Sequence, residues 1–294
     1  MKGILSRFQY KVIRSLIDDL NAHGIDYAIV KGCPLAYYKT GNPGSRDSTD
    51  VDLLISRQDI ETVANLLEKN GFQTPHTPSR EERIMMIASS HQILSYSKVI
   101  GKLYVDVDVN IDLFWGEYNG RRIDIKEFLG DVVWIDIYGC PVKTLPPLKA
   151  MLQLVLHHYK EMNSFFYLTG ARPVKKRFFE DVYLLYKRYS QEITVEKLYN
   201  YGEYYNITPY LYYMFYYTRM VYEDPELDAF LEAFYSEEGI RLLNCYGLTE
   251  KERKEWKISF EERLDTDISM IVYDEMSEED KTKLTLSKNL FGFC

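Results

Sequence analysis

Two aspartates, Asp50 and Asp52, are the residues whose type and spacing most directly predict chemistry. They frame Val51 and precede the apolar run Leu53-Leu54-Ile55, which is the pattern of a strand. Alternation along a strand puts both carboxylates on one face. Adjacent carboxylates repel each other unless a cation lies between them, and Mg²⁺ prefers oxygen ligands while leaving positions for phosphates. The pair therefore predicts a metal site that acts on a substrate phosphate.

An acidic pair of this kind also occurs on solvated strand edges, so its neighbours decide how it is interpreted. Lys31-Gly32 follows an apolar run that ends at Val30, and Pro34 suits the first turn of a helix. Backbone N–H groups at such a glycine turn approach phosphate closely, and a helix N-terminus favours negative charge. The alternative is a simple strand-to-helix turn.

Arg46 and Ser48 lie just before the acidic pair. A guanidinium at this place can contact a phosphate in a bidentate manner, and a serine hydroxyl can donate to one. The alternatives are a surface arginine paired with a nearby acid and a serine that only completes the turn.

A second acidic strand is predicted about fifty residues later. Asp106, Asp108, Asn110 and Asp112 alternate with valines and an isoleucine over residues 104–112. One face of this strand is therefore acidic and the other apolar. Three aspartates on one face favour cation binding or a general base over an ordinary solvated strand.

His157 and Lys160 lie in a predicted helix of the C-terminal half. We predict that they contribute to nucleotide or phosphate binding. The alternative for His157 and its neighbour His158 is a packed or capping histidine, and His91 is interpreted as structural.

The elements that must position these residues fall into two parts. An amphipathic pattern predicts a helix over residues 4–23, and strands are predicted at 25–30 and 49–55. Two hairpins are predicted, one around Ile100-Gly101 and one over 132–144. After residue 147 helical periodicity dominates to about residue 235. We predict an α+β protein with one domain at 1–146 and a mostly helical domain at 147–294.

Composition narrows the class of protein. The formal net charge of −8 argues against coating of a nucleic-acid backbone, which needs clustered lysines and arginines. The four cysteines are far apart and form no zinc or disulfide pattern. No apolar run of membrane-spanning length occurs, so we expect no membrane partner and a cytoplasmic location.

Taken in order, these motifs resemble a known family. Gly32, Leu35 and Ala36, then Arg46, then the Asp50–Leu54 run, are similar to the nucleotidyltransferase superfamily of the DNA-polymerase-β type. More narrowly, the chain resembles an uncharacterised bacterial nucleotidyltransferase family with a Lys-Gly motif. The resemblance covers roughly residues 10–190. It continues through three C-terminal segments, Leu145-Pro146-Pro147, His157-His158 and Asp181–Leu185.

The resemblance implies a mixed β-sheet with flanking helices and three catalytic carboxylates. Asp50 and Asp52 match the first two carboxylates. Its sequence distance from His91 and from the hairpin turn favours Asp106 as the third, so the implied metal ligands are Asp50, Asp52 and Asp106. Asp108 stands where the family commonly has histidine, and it stays an alternative catalytic residue.

The activity that the resemblance implies is transfer of a nucleoside monophosphate from a nucleoside triphosphate to an acceptor hydroxyl. The cofactor is Mg²⁺, with Mn²⁺ as an alternative, and a small-molecule acceptor is predicted. The alternatives are a protein- or tRNA-modifying enzyme of toxin or antitoxin type and a non-catalytic nucleotide-binding protein. The residues predicted to bind the nucleotide phosphates are Lys31, Gly32, Arg46, Ser48, His157 and Lys160.

Overall fold

A computed structural model describes residues 3–46, 48–114, 123–170 and 174–290, without the side chains of Met85, Ala88 and Ser89. The chain divides into two compact units, Met1–Ala150 and Met151–Cys294. Of the four cysteines, Cys33, Cys140 and Cys245 are buried and form no disulfide, and Cys294 lies outside the described residues.

The first unit combines helices with short strands. Its described helices are α1 Ile4–Ala22, α2 Gly32–Thr40, α3 Ile60–Lys69, α4 Arg80–Ser89 and α5 Ile125–Phe128. Its described strands are β1 Tyr27–Val30, β2 Asp50–Ile55, β3 Tyr96–Ile100, β4 Leu103–Asn110, β5 Val133–Ile137 and β6 Cys140–Thr144. A 3₁₀ turn at Arg57–Asp59 precedes α3.

Four of these strands form one mixed sheet in the order β1-β2-β4-β3. β2 is antiparallel to β1 and parallel to β4, and β3 is antiparallel to β4. β5 and β6 pair separately, and the Thr144 hydroxyl donates to the Ile29 carbonyl at 2.7 Å, which joins β6 to β1. The predicted α+β class with a mixed sheet is confirmed.

The apolar faces of β2 and β4 explain the position of the core. Val51 and Leu53 on β2 and Val107 and Val109 on β4 belong to one buried cluster with residues of α1 and α3. Because side chains alternate along a strand, the aspartates between these residues face the other side of the sheet. The period-two pattern read from the sequence is therefore confirmed for both strands.

The second unit is mostly helical, as predicted. Its described elements begin within α6 Pro147–Asn163, where the boundary between the units falls. The remaining helices are α7 Phe165–Leu168, α8 Lys176–Arg188, α9 Val195–Tyr204, α10 Thr208–Tyr222, α11 Asp228–Phe234, α12 Glu237–Leu243, α13 Phe260–Arg263, α14 Ser269–Glu275 and α15 Glu278–Leu290. A short ladder joins β7 Cys245–Tyr246 to β8 Lys254–Glu255.

Aromatic side chains form much of the interior of this unit. Tyr159 packs against Tyr210 and Tyr213, with ring centroids 4.7 and 5.0 Å apart. Burial raises the pKa of the Tyr213 phenol well above its ordinary value. Among the described helices of the chain, none is both long and apolar enough to cross a membrane.

Candidate active site

Four aspartates lie side by side on one face of the sheet. Asp50 and Asp52 on β2 are the register partners of Asp106 and Asp108 on the parallel strand β4. Neighbouring strands lie about 4.8 Å apart, so the carboxylates belong to one electrostatic cluster. The structure thus brings together all the carboxylates that the sequence analysis singled out as catalytic.

Asp52 is the most buried member of the β2 pair, with 6% of the residue exposed. The Lys31 ammonium forms an ion pair with its Oδ1, and the Asn110 amide donates to the same oxygen at 3.3 Å. A buried carboxylate needs such partners, because an uncompensated charge in the interior is costly. Lys31 therefore supplies the counter-charge of Asp52 at the strand-to-helix turn.

Asp108 carries the largest electrostatic perturbation in this cluster. Burial, followed by repulsion from Asp52, raises its pKa to about 6, although the Ser95 hydroxyl donates to its Oδ1 and opposes the rise. Asp50 also repels it, and Lys31 partly offsets this repulsion. Asp108 therefore lies within the field of both β2 carboxylates.

Asp50 shows the same effect at the start of β2. Burial and then repulsion from Asp52 raise the pKa of the Asp50 carboxyl. The Ser48 hydroxyl lies 2.9 Å from the Asp50 carbonyl oxygen and 3.2 Å from its Oδ1, so it can donate to either. In this arrangement Ser48 positions Asp50, whereas its predicted contact with phosphate stays a prediction.

Asp106 is placed differently from Asp108. It is half-buried, and the Ser97 hydroxyl on the neighbouring strand β3 donates to its Oδ1. It is the register partner of Asp50, whereas Asp108 is the register partner of the more buried Asp52. The expectation that Asp106 is the third carboxylate stays a prediction.

The Lys31-Gly32 turn has an uncommon backbone. Lys31 has φ 56° and ψ −144°, a region that residues with a Cβ rarely adopt, and Gly32 has φ 36°. A Cβ on Gly32 would meet the Ser48 hydroxyl at 3.1 Å. Cys33 turns inward, with 2% exposed, so the turn presents its backbone and the Lys31 side chain to the site.

Two other predicted residues lie around this site. Arg46 is half-buried in the loop between α2 and β2, and its contact with phosphate stays a prediction. Asp112 lies beyond the end of β4, where the Arg57 guanidinium donates to its Oδ2 at 3.0 Å. Its Oδ1 accepts from the backbone N–H groups of Leu113 and Phe114 at 2.8 and 3.2 Å. Asp112 is therefore engaged in holding the chain after β4.

His157 and Lys160 lie on α6 in the second unit. His157 Nε2 lies 3.4 Å from a carboxylate oxygen of Glu161, and the Lys160 ammonium lies 5.3 Å from the centroid of the Tyr167 ring. Their role in phosphate binding stays a prediction. His91 is buried, and its carbonyl oxygen accepts from the N–H groups of Ile111 and Asp112, which agrees with a structural role.

Ser95, Ser97 and Asn110 are the polar residues near the carboxylates to which the sequence analysis gave no role. Ser97 lies on β3 and Ser95 directly before it, and their hydroxyls donate to Asp106 and Asp108 on β4. The turn in the structure is Gly101-Lys102, and counting back from it pairs Ser97 with Asp106.

The donor set fits a divalent cation that prefers oxygen ligands. Asp50, Asp52 and Asp108 offer carboxylate oxygens, and burial followed by repulsion from Asp52 raises the pKa values of Asp50 and Asp108. Such a cluster is stabilised when a cation binds between the carboxylates. Mg²⁺ suits this chemistry because it is held by few carboxylates and keeps positions for phosphate oxygens.

Several solved structures are similar to this chain. An antigenic nucleotidyltransferase-like protein from Paracoccidioides brasiliensis is 18% identical with a TM-score of 0.42, over 76% of this chain and 92% of that one. The antibiotic-resistance factor ANT(2'')-Ia is 13% identical in a solution structure, with a TM-score of 0.39 over 70% of this chain and 95% of that one. Its crystal structure with adenylyl-2''-tobramycin is also 13% identical, with a TM-score of 0.37 over 67% and 99%.

No curated protein matches the sequence. The family model described as "Uncharacterised nucleotidyltransferase" matches residues 5–223, a span that contains the four aspartates, the Lys31-Gly32 turn and the helices α6 to α10. Because this span is more than half of the 294 residues, the chain belongs to that family of nucleotidyltransferases.

Proposed function

We propose that this nucleotidyltransferase moves a nucleoside monophosphate from a nucleoside triphosphate to a hydroxyl of a small-molecule acceptor, with Mg²⁺ held by Asp50, Asp52 and Asp108. Mn²⁺ is the alternative cation. The observation that carries the proposal is the register that pairs Asp52 with Asp108 on one face of the sheet. When bound, the cation supplies charge neutralisation at the triphosphate and at the leaving pyrophosphate.

The residues around the carboxylates would bind and orient the triphosphate. The N-terminus of α2 begins at Gly32, and peptide N–H groups in the first turn of a helix favour anions. Lys31 and Arg46 would add positive charge beside the phosphates, as the sequence analysis predicted. In this assignment Lys31 leaves Asp52 when the cation binds and turns to a phosphate oxygen.

The acceptor hydroxyl must lose its proton as its oxygen attacks the α-phosphorus. A carboxylate near the metal ligands is the natural proton acceptor. Asp106 lies on the same face, two residues before Asp108, with its Oδ1 oriented by the Ser97 hydroxyl. We therefore assign proton acceptance to an Asp106 oxygen and metal binding to Asp108.

The test is a calorimetric titration with a non-hydrolysable nucleoside triphosphate in the presence of Mg²⁺. We expect the Asp50→Asn/Asp52→Asn variant to lose the Mg²⁺-dependent part of the binding, at least 100-fold in affinity. The matched control is Asp26→Asn/Asp59→Asn, because these aspartates also repel each other but lie outside the site. Unchanged binding in the site variant would exclude this assignment.

Turnover separates the acceptor classes. Purified protein is incubated with each labelled nucleoside triphosphate and Mg²⁺, together with either a pool of hydroxylated small molecules or the proteins and tRNA of a lysate. Label in the small-molecule fraction is the expected result. Label on a protein or tRNA would replace the proposed acceptor class, and nucleotide binding without pyrophosphate release would indicate a non-catalytic protein.

A further inference from the structure

A second cluster of metal-ligating side chains lies on α6, in the unit that does not carry the aspartates. One ligand atom from each of His157, His158 and Glu161 lies within 4.8 Å of the other two. The Glu161 Oε2 contacts both histidines, lying 3.4 Å from His157 Nε2 and 3.6 Å from His158 Nδ1. Two histidines and a carboxylate are a ligand set that transition metals use.

The distances in this cluster suit a small tetrahedral ion. Metal–ligand bonds of about 2.0–2.1 Å place neighbouring tetrahedral ligands roughly 3.3–3.4 Å apart. The distances from Glu161 to the two imidazole nitrogens are close to that value. The His157 and His158 ring centroids are 5.4 Å apart and the rings are inclined by 47°, so a modest rotation brings both nitrogens to one ion.

The burial of His158 is an independent observation that points to a ligand. The residue is 3% exposed, and neither ring nitrogen has a hydrogen-bond partner at ordinary distance and geometry. A polar group buried in this way loses its hydration without replacing it, which is costly. Nδ1 faces Glu161, so an ion at this nitrogen would supply the missing interaction.

The other nitrogen of His158 faces a carboxylate that belongs to a different helix. Asp181 Oδ2 on α8 lies 3.4 Å from His158 Nε2, and Asp181 is 1% exposed. A histidine that binds a metal commonly donates its second ring N–H to a carboxylate, which fixes its tautomer and orientation. Asp181 therefore occupies the position of the carboxylate that accepts this second ring N–H.

Phe178, also on α8, fixes the plane of the same imidazole. Its ring stacks on that of His158 with centroids 4.5 Å apart and an inclination of 28°. His157 and Glu161 remain partly open, with 15% and 16% of their side chains exposed. The buried side of the cluster is thus held rigid by α8, and its open side admits an ion.

We propose that His157 Nε2, His158 Nδ1 and a Glu161 carboxylate oxygen bind one Zn²⁺ ion. Asp181 orients the His158 ring through its second nitrogen, Nε2. The fourth position is taken by water or by an oxygen of a bound molecule, as in sites with three protein ligands. This site uses none of the sheet aspartates. The experiment must distinguish this site from an arrangement in which His158 lies between Asp181 and Glu161 with no ion bound.

The experiment measures Zn²⁺ binding to the full, untagged chain by competition with a chromophoric chelator. We expect one Zn²⁺ per chain at micromolar affinity or better, and at least 100-fold weaker binding in His157→Gln and in Glu161→Gln. His76→Gln is the matched control, because His76 also lies within ion-pair distance of a glutamate but on the other unit. Asp181→Asn should weaken binding about 10- to 100-fold with unchanged stoichiometry.

Two further measurements keep the result decisive. The Asp50→Asn/Asp52→Asn variant should bind Zn²⁺ as the wild type does, so failure of the nucleotide site and failure of this site are told apart. Substitution with Co²⁺ should give tetrahedral d–d bands without the charge-transfer band of a thiolate, which excludes the free cysteines as ligands. Absence of stoichiometric Zn²⁺ binding, or wild-type affinity in a His157→Gln variant of normal circular dichroism, would overturn the proposal.

Discussion

Asp52 and Asp108 are direct register partners on two parallel strands. The Lys31 ammonium, at the strand-to-helix turn, forms an ion pair with Asp52. This relationship joins the two acidic motifs, which lie more than fifty residues apart in the chain. It places Asp108 beside the more buried of the two β2 aspartates, whereas Asp106 is the register partner of Asp50. The consequences for metal binding, stability and pH dependence are each testable.

Asn substitutions at the two β4 aspartates should have different effects. We expect Asp108→Asn to weaken Mg²⁺-dependent nucleotide binding by at least 10-fold, because it removes a carboxylate from the Asp50–Asp52 cluster. Asp106→Asn should keep binding within about twofold but lower kcat by about 10²–10⁴-fold, the usual range for a lost general base. Calorimetry and pyrophosphate release measure the two effects. Equal losses of binding in both variants would contradict the assignment.

The pH dependence of stability follows from the raised pKa of Asp108. Its pKa of about 6 in the folded protein lies above the value of 3.8 for an unperturbed aspartate. The folded state therefore holds its proton more tightly, and stability falls as the pH rises from about 4 through 6. Without metal, this carboxyl alone should make the protein about 1–2 kcal/mol less stable at pH 7.5 than at pH 5.

Urea unfolding in the presence of EDTA measures this difference. The Asp108→Asn variant should show a smaller loss between pH 5 and pH 7.5 than the wild type, and Mg²⁺ should stabilise the wild type more at pH 7.5. Asp50 contributes in the same direction, because its pKa is also raised. A wild type that gains stability over this pH range relative to Asp108→Asn would contradict the sign.

The backbone of Lys31 allows a substitution that separates conformational strain from charge. Glycine normally makes a protein less stable than alanine does, by roughly 0.5–1 kcal/mol within an element. At φ 56° and ψ −144° the order should invert, because only glycine adopts this region without strain of about 1–3 kcal/mol. We expect Lys31→Gly to be more stable than Lys31→Ala in urea unfolding.

Both Lys31 variants lack the ammonium, so both should bind the triphosphate about 10-fold or more weakly than the wild type. The comparison thus assigns the strain to the backbone and the affinity to the charge. Equal stability of the glycine and alanine variants would mean that this turn relaxes without cost.

Local regularities made part of this site predictable from the sequence. The alternation in residues 50–55 and 104–112 indicated which side chains share a face, because the period of a strand is a property of the backbone alone. The hairpin predicted around Ile100-Gly101 forms with its turn at Gly101-Lys102, which pairs Ser97 with Asp106. Ser95 follows two residues further back and donates to Asp108.

Long-range relationships were not predictable in this way. The β2–β4 register depends on how α3, α4 and the strands pack, and no turn connects the parallel strands directly. The preference for Asp106 as third carboxylate therefore rested on sequence distance, whereas the register pairs Asp106 with Asp50 and Asp108 with Asp52. Likewise, Ser56 with Asp59 three residues later resembles a capping box in sequence, but Ser56 makes no capping bond in the structure and a 3₁₀ turn precedes α3. The capping box forms at Ser79 with Glu82, at the start of α4.

The Arg57–Asp112 ion pair should be a structural support of the site rather than part of it. Asp112 is 3% exposed, and burial raises its pKa even though the Arg57 guanidinium and two backbone N–H groups oppose the rise. Removing Arg57 leaves a buried carboxylate without its counter-ion, which costs roughly 3–5 kcal/mol in a fully buried pair. Arg57 is partly exposed, so we expect Arg57→Leu to lose about 1–3 kcal/mol at pH 7.5.

A double-mutant cycle with Asp112→Asn tests this pair directly. Since the lost partner of Arg57→Leu is a carboxylate, the destabilisation should shrink as the pH falls and Asp112 takes up a proton, and it should be small in the Asp112→Asn background. Mg²⁺-dependent nucleotide affinity, measured where both proteins are folded, should stay within about threefold of the wild type. A much larger loss of affinity at intact stability would place Arg57 among the residues that bind the nucleotide.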